Sequence, residues 1–440
     1  MRRNSSFQYV LLALAVCLAL GMGVFYFVYN AQKTEPSILP TYTDPVTKPV
    51  TDPLTDPITE PATDPITEPI TEPITEPITE PPAPIEHVIS FVGCGDNLLY
   101  RPNTFEADEL AEGGLRSYMF MYENVADFIR SADIAFVNQE TLLTGGNAGY
   151  PLFDTPFELA NTLAELGFDV ANIATNHMLD YNTYYANGLL TSNGEGILIS
   201  RDTLKNAGLT VIGGYENSED LANIRIVDRE GLKIAFLAFT EATNMINIAE
   251  NGKAIVPYLT EDNVRSQVAL AKEVSDFIIV SAHWGADDSP NRSESQKQFS
   301  KLFAELGVDV VLGHGPHILH PIEWVDGNDG HRMLCAYSLG NFVGIMEHPL
   351  NILGGFLTFD IHYTDGEEPV IKNVGFVPTV YHYNLSYRQN KLYFLTEYTE
   401  ALAGEHGVYT RYYNHFTKGY LKQQVESIIR PALIKTKNDY

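Results

Sequence analysis

The chain has 440 residues, 56 of them acidic and 28 basic, for a formal net charge of −28. That balance excludes a nucleic acid as the main partner, because nothing would neutralise its phosphates. Of three cysteines, Cys17 lies in an N-terminal apolar run. Cys94 and Cys335 alone cannot build a disulfide scaffold or a Cys-rich zinc module, so any metal must use His and oxygen ligands.

Arg2 and Arg3 precede an uncharged stretch from Asn4 to Gln32, within which Val10 to Tyr29 is mostly apolar. Such a run spans a ~30 Å hydrocarbon core. Residues 1–33 are therefore expected to be a cytoplasmic stub and a single-pass membrane anchor, with the bulk of the chain extracellular. A cleaved signal peptide is the alternative, but the run exceeds the usual ~7 to 15 residues and no A-x-A site follows it. Leu14-Ala15-Val16-Cys17 matches a lipoprotein box only loosely.

Residues 34–85 read as a stalk. From Thr43 to Pro81 the sequence repeats Thr-Asp/Glu/Lys-Pro-x, with a proline every fourth residue. Each proline fixes φ and biases the residue before it to extended geometry, so a polyproline-like spacer of roughly 120 Å is expected. Its nine acidic residues against Lys48 alone add self-repulsion.

From Glu86 the chain repeats a helix-then-strand unit. Val125–Arg130 leads into Asp133–Val137, Phe157–Leu166 into Asp169–Ala174, Val264–Val274 into Phe277–Val280, and Ser295–Leu306 into Val308–Leu312. Two junctions share Ala-Glu-Leu-Gly-x-Asp-Val, where Gly167 and Gly307 supply helix C-caps. Apolar strands alternating with helices predict parallel strands covered on both faces. Ile224–Val227 and Leu232–Phe239, joined by Glu230-Gly231, predict a hairpin, so the sheets are mixed. Gly355–His362 and Glu368–Val377 read as further strands. Residues 86–380 are taken as one domain and 381–440 as a Tyr-rich helical extension.

Functional groups in open α/β sheets gather beyond the carboxyl ends of the strands. Those ends deliver Gly95-Asp96-Asn97, Asn138-Gln139-Glu140, Thr175-Asn176-His177, His283-Trp284-Gly285 and Gly313-His314-Gly315-Pro316-His317. Each has an ordinary explanation by itself: Asp96 as a helix cap, Glu140 as a surface acid, His283 as a satisfied core histidine. Five successive ends bearing carboxylates, amides and imidazoles point instead to a metal site with N/O ligands.

These motifs, with Asn176-His177-Met178-Leu179-Asp180 and Ser338-Leu339-Gly340-Asn341-Phe342, resemble the bacterial CapA family of poly-γ-glutamate capsule biosynthesis proteins over roughly residues 88 to 346. The resemblance implies a calcineurin-like metallophosphatase fold, a layered α/β/β/α sandwich with mixed sheets and a metal centre at the strand ends. It also implies a membrane-anchored protein of capsule assembly at the cell surface. By position, Asp96, Glu140, Asn176, His283, His314 and His317 would hold one or two divalent ions, Mn, Zn or Fe. His177, held by Asp180, would be the acid or orienting group, and Asn97, Asn138, Trp284, Asp287, Ser338 and Asn341 would shape the site. Gly315 stands where the family often has His, and Asp287 where it often has Glu. The function implied is a metal-dependent, phosphoesterase-type hydrolase. Its partners would be the capsule polymer or a precursor, together with membrane synthase or export subunits. The alternative is a non-catalytic assembly subunit of such a complex.

Overall fold

The computed structural model of the protein describes residues 85–439 apart from 112, 365, 413 and 414. The expected membrane helix and the repeat stalk lie outside the described residues. Among the described residues no helix is long and apolar enough to cross a membrane.

The strands are β1 (Glu86–Asn97), β2 (Ile134–Gln139), β3 (Val170–Asn172), β4 (Tyr184–Ala186), β5 (Leu189–Ser192), β6 (Thr210–Ile212), β7 (Arg225–Arg229), β8 (Leu232–Thr240), β9 (Asn247–Ile248), β10 (Phe277–His283), β11 (Val310–His314), β12 (Ile322–Asp326), β13 (Arg332–Ala336), β14 (Asn341–Val343), β15 (Leu353–Thr364), β16 (Val370–His382) and β17 (Lys391–Phe394). One sheet runs β17-β16-β15-β1-β2-β3-β6, with β14 beside β1. Its β1, β2, β3 and β6 are parallel, while β15, β16 and β17 are antiparallel. The second sheet runs β12-β13-β11-β10-β8-β7, with a parallel centre and antiparallel edges. A small third sheet orders β4-β5-β9. The mixed α/β architecture is as expected.

The helix-to-strand junctions show why the parallel strands align. Gly167 and Gly307 adopt φ 92° and 79°, the left-handed geometry that ends the helices Glu158–Glu165 and Glu294–Glu305. Two residues on, Asp169 accepts the Ala135 N–H and Asp309 accepts the Ile278 N–H, both at 2.8 Å. Asp133 and Asp276 do the same for Ser90 and Lys233. Each carboxylate thus satisfies a backbone donor at the start of the neighbouring strand and fixes its register. The hairpin β7–β8 turns through Glu230 and Gly231, both at positive φ.

The two large sheets pack face to face. Phe136 of β2 stacks on Phe236 of β8 and on His314 of β11. On the outer face of the first sheet, Phe128 of the helix Ala126–Arg130 meets Phe356 and Phe394. On the outer face of the second, the helices Glu261–Val274 and Glu294–Glu305 bury Val264, Val268 and Phe303 against Leu237, Phe239 and Val280. The layer order is α/β/β/α, and each fully buried Phe contributes ~1.5–3 kcal/mol. The sequence boundary at residue 380 falls inside β16, which continues to His382 and pairs with β17. Tyr398, Phe416, Leu421 and Val425 then join the core of the first sheet. The buried residues named here therefore pack as part of the sandwich, because their aromatic and aliphatic side chains have that sheet to cover.

Candidate metal centre

The carboxyl ends of β1, β2, β10 and β11 converge at one buried point. β1 reaches it through a register shift between Gly93 and Asp96, a bulge that re-aims a side chain. Gly95 is required there: a Cβ would lie 1.9 Å from the Gly340 carbonyl. Asp96 then donates its N–H to that same carbonyl at 3.0 Å. The turn Ser338–Gly340 is thus a clamp on β1, and Ser338 serves it by accepting the Gly340 N–H.

Asp96 is fully buried. Its Oδ1 accepts from Asn138 Nδ2 at 2.8 Å, and Asn138 in turn accepts from Asn172 Nδ2 at 2.6 Å. Its Oδ2 lies 3.1 Å from His317 Nδ1 and accepts the Gly315 N–H at 3.3 Å. His314 Nδ1 stands 3.5 Å from Oδ1, an electrostatic contact. Burial alone would raise this carboxyl, but the contacts from His314 and His317 outweigh it and hold it well below the usual range.

Glu140 lies across from Asp96, 3.5 Å from His317 Nε2, 3.8 Å from His283 Nε2 and 4.0 Å from His177 Nε2. Burial pushes its carboxyl well above the ordinary range. Burial also lowers His283 to about 3. His317 runs the other way: desolvation lowers it, yet the Glu140 and Asp96 carboxylates draw it up to about 10. His317 sits at φ 58°, and its ring is oriented by Asn341 Oδ1 at 3.0 Å from Nδ1. A non-glycine residue in that region is strained, a feature that clusters at functional sites.

Asp96, Glu140 and His317 each offer a ligand atom, all within 4.8 Å of one another. Both Glu140 oxygens, His283 Nδ1 and both His314 ring nitrogens are buried without a hydrogen-bond partner. Buried carboxylate oxygens left unpartnered are costly, and a divalent cation is the group that this donor set fits. Around it, His177 Nδ1 is 2.7 Å from Asp180 Oδ2, which also accepts the Phe153 N–H at 2.7 Å. A cleft of about 340 Å³ opens here, lined by Asn176, Glu241, Asn244, His283, Gly285 and Asp287 among others. A larger cleft of about 900 Å³ at the edge strand β6 holds none of the expected site residues.

The family model described as "Bacterial capsule synthesis protein PGA_cap" matches residues 90–345, more than half of the chain. The chain belongs to this family. Its site residues from Asp96 to Asn341 all fall inside the matched span. It is similar to "Capsule biosynthesis protein CapA" of Bacillus anthracis, 27% identical over 51% of this chain and 53% of that protein. It is also similar to "PGA biosynthesis protein CapA" of Bacillus subtilis (strain 168), 30% identical over 42% and 45%. The chain spans about half the length of the curated relatives it matches. Among solved structures, a 5'-nucleotidase precursor from Thermus thermophilus superposes with a TM-score of 0.39 at 13% identity, covering 65% of this chain and 54% of that one. The calcineurin-like phosphoesterase YfkN from Bacillus subtilis gives a TM-score of 0.37 at 12% identity, covering 67% and 91%.

The remaining expected site residues of this PGA_cap domain divide between the core and the cleft. Asn97 points to Gln139 and Tyr122, at 2.7 Å each, and holds β1 against β2. The Trp284 indole packs in the core beside Tyr337 and donates to its carbonyl, and the residue also borders the cleft. Asn176 donates to Asn244, and its own Oδ1 is buried without a partner. Asp287 is exposed at the mouth. Gly315 has φ 106°, and a Cβ there would lie 3.2 Å from the His283 ring, so this backbone does not accommodate a His at that position. Sequence reasoning missed Asn172, Asn244 and Glu241. Asn172 was discoverable as one more amide at a strand end, whereas Asn244 and Glu241 sit beyond β8, whose end was not read.

Proposed function

We propose that this protein serves capsule polymer synthesis as a metal-dependent hydrolase of the phosphoesterase type. It would be anchored by its N-terminal apolar segment, with the sandwich domain outside the cell. The observation that carries the reading is the buried Asp96, Glu140 and His317 group with its unpartnered acceptors. These three would hold the metal, with His283, His314 and Asn176 as neighbouring donors, and Mn²⁺, Zn²⁺ or Fe suits such a mixture. A divalent ion there supplies Lewis-acid charge to a phosphoryl or acyl oxygen.

The chain's own groups do the rest. Asp180 accepts from His177 Nδ1, which fixes the imidazole tautomer and presents Nε2 toward the site. Nε2 can there take up a proton and, from the imidazolium, hand it to a leaving group. Asn138 and Asn341 hold the Asp96 carboxylate and the His317 ring in place. The relatives' names support a capsule polymer or its precursor as what the chain works on, and membrane synthase or export subunits are its proposed partners, in keeping with the anchor and stalk pattern.

The test is elemental analysis of purified protein beside Asp96→Ala and His283→Ala, with a screen of phosphoester and amide substrates. About one to two equivalents of transition metal, lost in both variants, support the site. No metal after loading with Mn²⁺ or Zn²⁺, in a protein that co-purifies with a membrane synthase, would assign it instead to a non-catalytic assembly role.

A further inference from the structure

Residues 381–440 carry eight Lys and Arg against five Asp and Glu, a balance of +3 in a chain of −28. Residues 86–380 hold 41 acidic and 16 basic side chains. The positive charge is therefore concentrated in a segment beyond the matched family span, which ends at 345. A groove of about 300 Å³ opens on it. Leu395, Val425, Ile434 and Pro378 provide apolar lining, and Lys418, Lys422 and Lys435 border it with Glu426 as the single carboxylate.

Lys418 and Lys422 lie four residues apart on the helix Lys418–Ile428, so they share a face. Lys418 Nζ donates to the Thr396 carbonyl at 2.8 Å, and Lys422 stands 3.6 Å from Glu426. Among the described residues no carboxylate forms a salt bridge with Lys418 or Lys435. Three lysines thus border the apolar floor, Lys422 paired with Glu426 and Lys435 acted on from beside the groove by Asp439.

We infer that this groove docks a carboxylate-bearing polymer strand, its methylenes on the apolar floor and its carboxylates on the three ammonium groups. The inference rests on the reading that the chain works on an acidic capsule polymer. Charge complementarity decides the occupant. A strongly acidic domain repels a polyanion everywhere except where its sign reverses. The metal cleft presents Glu241 and Asp287 and no Lys or Arg among its described lining residues, so the protein's own cations for such a strand lie in the groove. Holding and chemistry are therefore placed on different surfaces.

The experiment titrates the full chain, in detergent, with a fluorescent γ-linked glutamate oligomer and follows anisotropy. The variants are Lys418→Gln/Lys422→Gln/Lys435→Gln, the matching triple Arg substitution, and Asp96→Ala. Wild type should bind with an affinity that falls as salt rises. The triple Gln variant should bind about tenfold more weakly, equivalent to about 1.4 kcal/mol, while the triple Arg variant retains binding. Asp96→Ala should bind as wild type does, so loss of the metal site and loss of the groove are read separately. Equal affinity in wild type and the Gln variant, or no oligomer binding at all, overturns the proposal. Phosphatidylglycerol vesicles bound through the same lysines in preference to the oligomer would overturn it in favour of a membrane-facing surface.

Discussion

Asp96→Asn isolates the charge at the centre of the site. The amide keeps the side chain's volume and one acceptor oxygen while removing the negative charge that faces His317 at 3.1 Å and His314 at 3.5 Å. Deleting one partner of a buried ion pair costs ~3–5 kcal/mol. Because Asn still fills the space and accepts from Asn138, the loss should be nearer the ~1.5–3 kcal/mol of one charged hydrogen bond. About 2 kcal/mol lowers Tm by only ~3 °C in a domain of this size, at ~2.1 cal/mol/K of unfolding entropy per residue. Metal-free His317 should then fall from about 10 toward its ordinary value. In metal-free wild type, the stability that His317 contributes is complete below pH ~6.5 and lost as pH rises through its folded value. The variant should lack that alkaline loss. Titration calorimetry with Mn²⁺ should show affinity reduced at least ~100-fold, the upper end of what outer-shell partners alone cost. Undiminished Mn²⁺ affinity, or a histidine C2–H resonance of His317 still titrating near its wild-type value, would refute the assignment of Asp96 as both ligand and charge partner.

Asp180→Asn should leave metal content intact yet lower kcat by ~10²–10⁴, because His177 loses the acceptor that sets its tautomer; a parallel loss of metal would make Asp180 structural. Gly315→Ala should destabilise by ~1–3 kcal/mol at its φ of 106° and weaken metal uptake through His283, checked by urea melts with and without Mn²⁺. His382 is buried beside the Tyr398 hydroxyl, with Nε2 unpartnered, and burial lowers it to about 4. Its stabilisation is therefore present above pH ~6.5 and lost as pH falls toward 4, by ~3 kcal/mol at most. Urea melts of His382→Gln at pH 7 and pH 5 should show a smaller acid loss than wild type, and equal losses would place the acid sensitivity elsewhere.

The alternation of apolar strands with helices was legible because each parallel strand is buried on both faces, and the Gly-x-Asp junctions marked where strands begin. Asp96, Glu140 and His317 were legible as chemistry because they follow those strands. The sequence does not show which strand-end groups turn inward. Asn97 and Trp284 share a strand-end setting with Asp96 and His283, yet a bulge in β1 and the packing of Tyr337 send them into the core. The strand that crosses residue 380 was not legible, because a Tyr-rich composition shows that the following segment packs but not which sheet it covers. Tyr381 and Tyr398 are fully buried, and only the pairing of β16 with β17 reveals what they cover.

The asparagines explain why the site can keep two buried carboxylates so close. Asn172, Asn138 and Asp96 lie on three adjacent parallel strands and form one donor-to-acceptor chain across their ends, with contacts of 2.6 and 2.8 Å. On the far side, Asn341 orients His317 while donating to the Asn351 carbonyl at 2.7 Å, and Asn351 donates to the His317 carbonyl at 3.2 Å. Uncharged amides position both carboxylate and imidazole without neutralising either. A lysine or arginine in their place would have quenched the negative charge, and a hydrophobe would have left the Asp96 oxygens bare. Such a frame leaves Glu140 with unmet acceptor capacity, which a divalent cation held with Asp96 and His317 would complete.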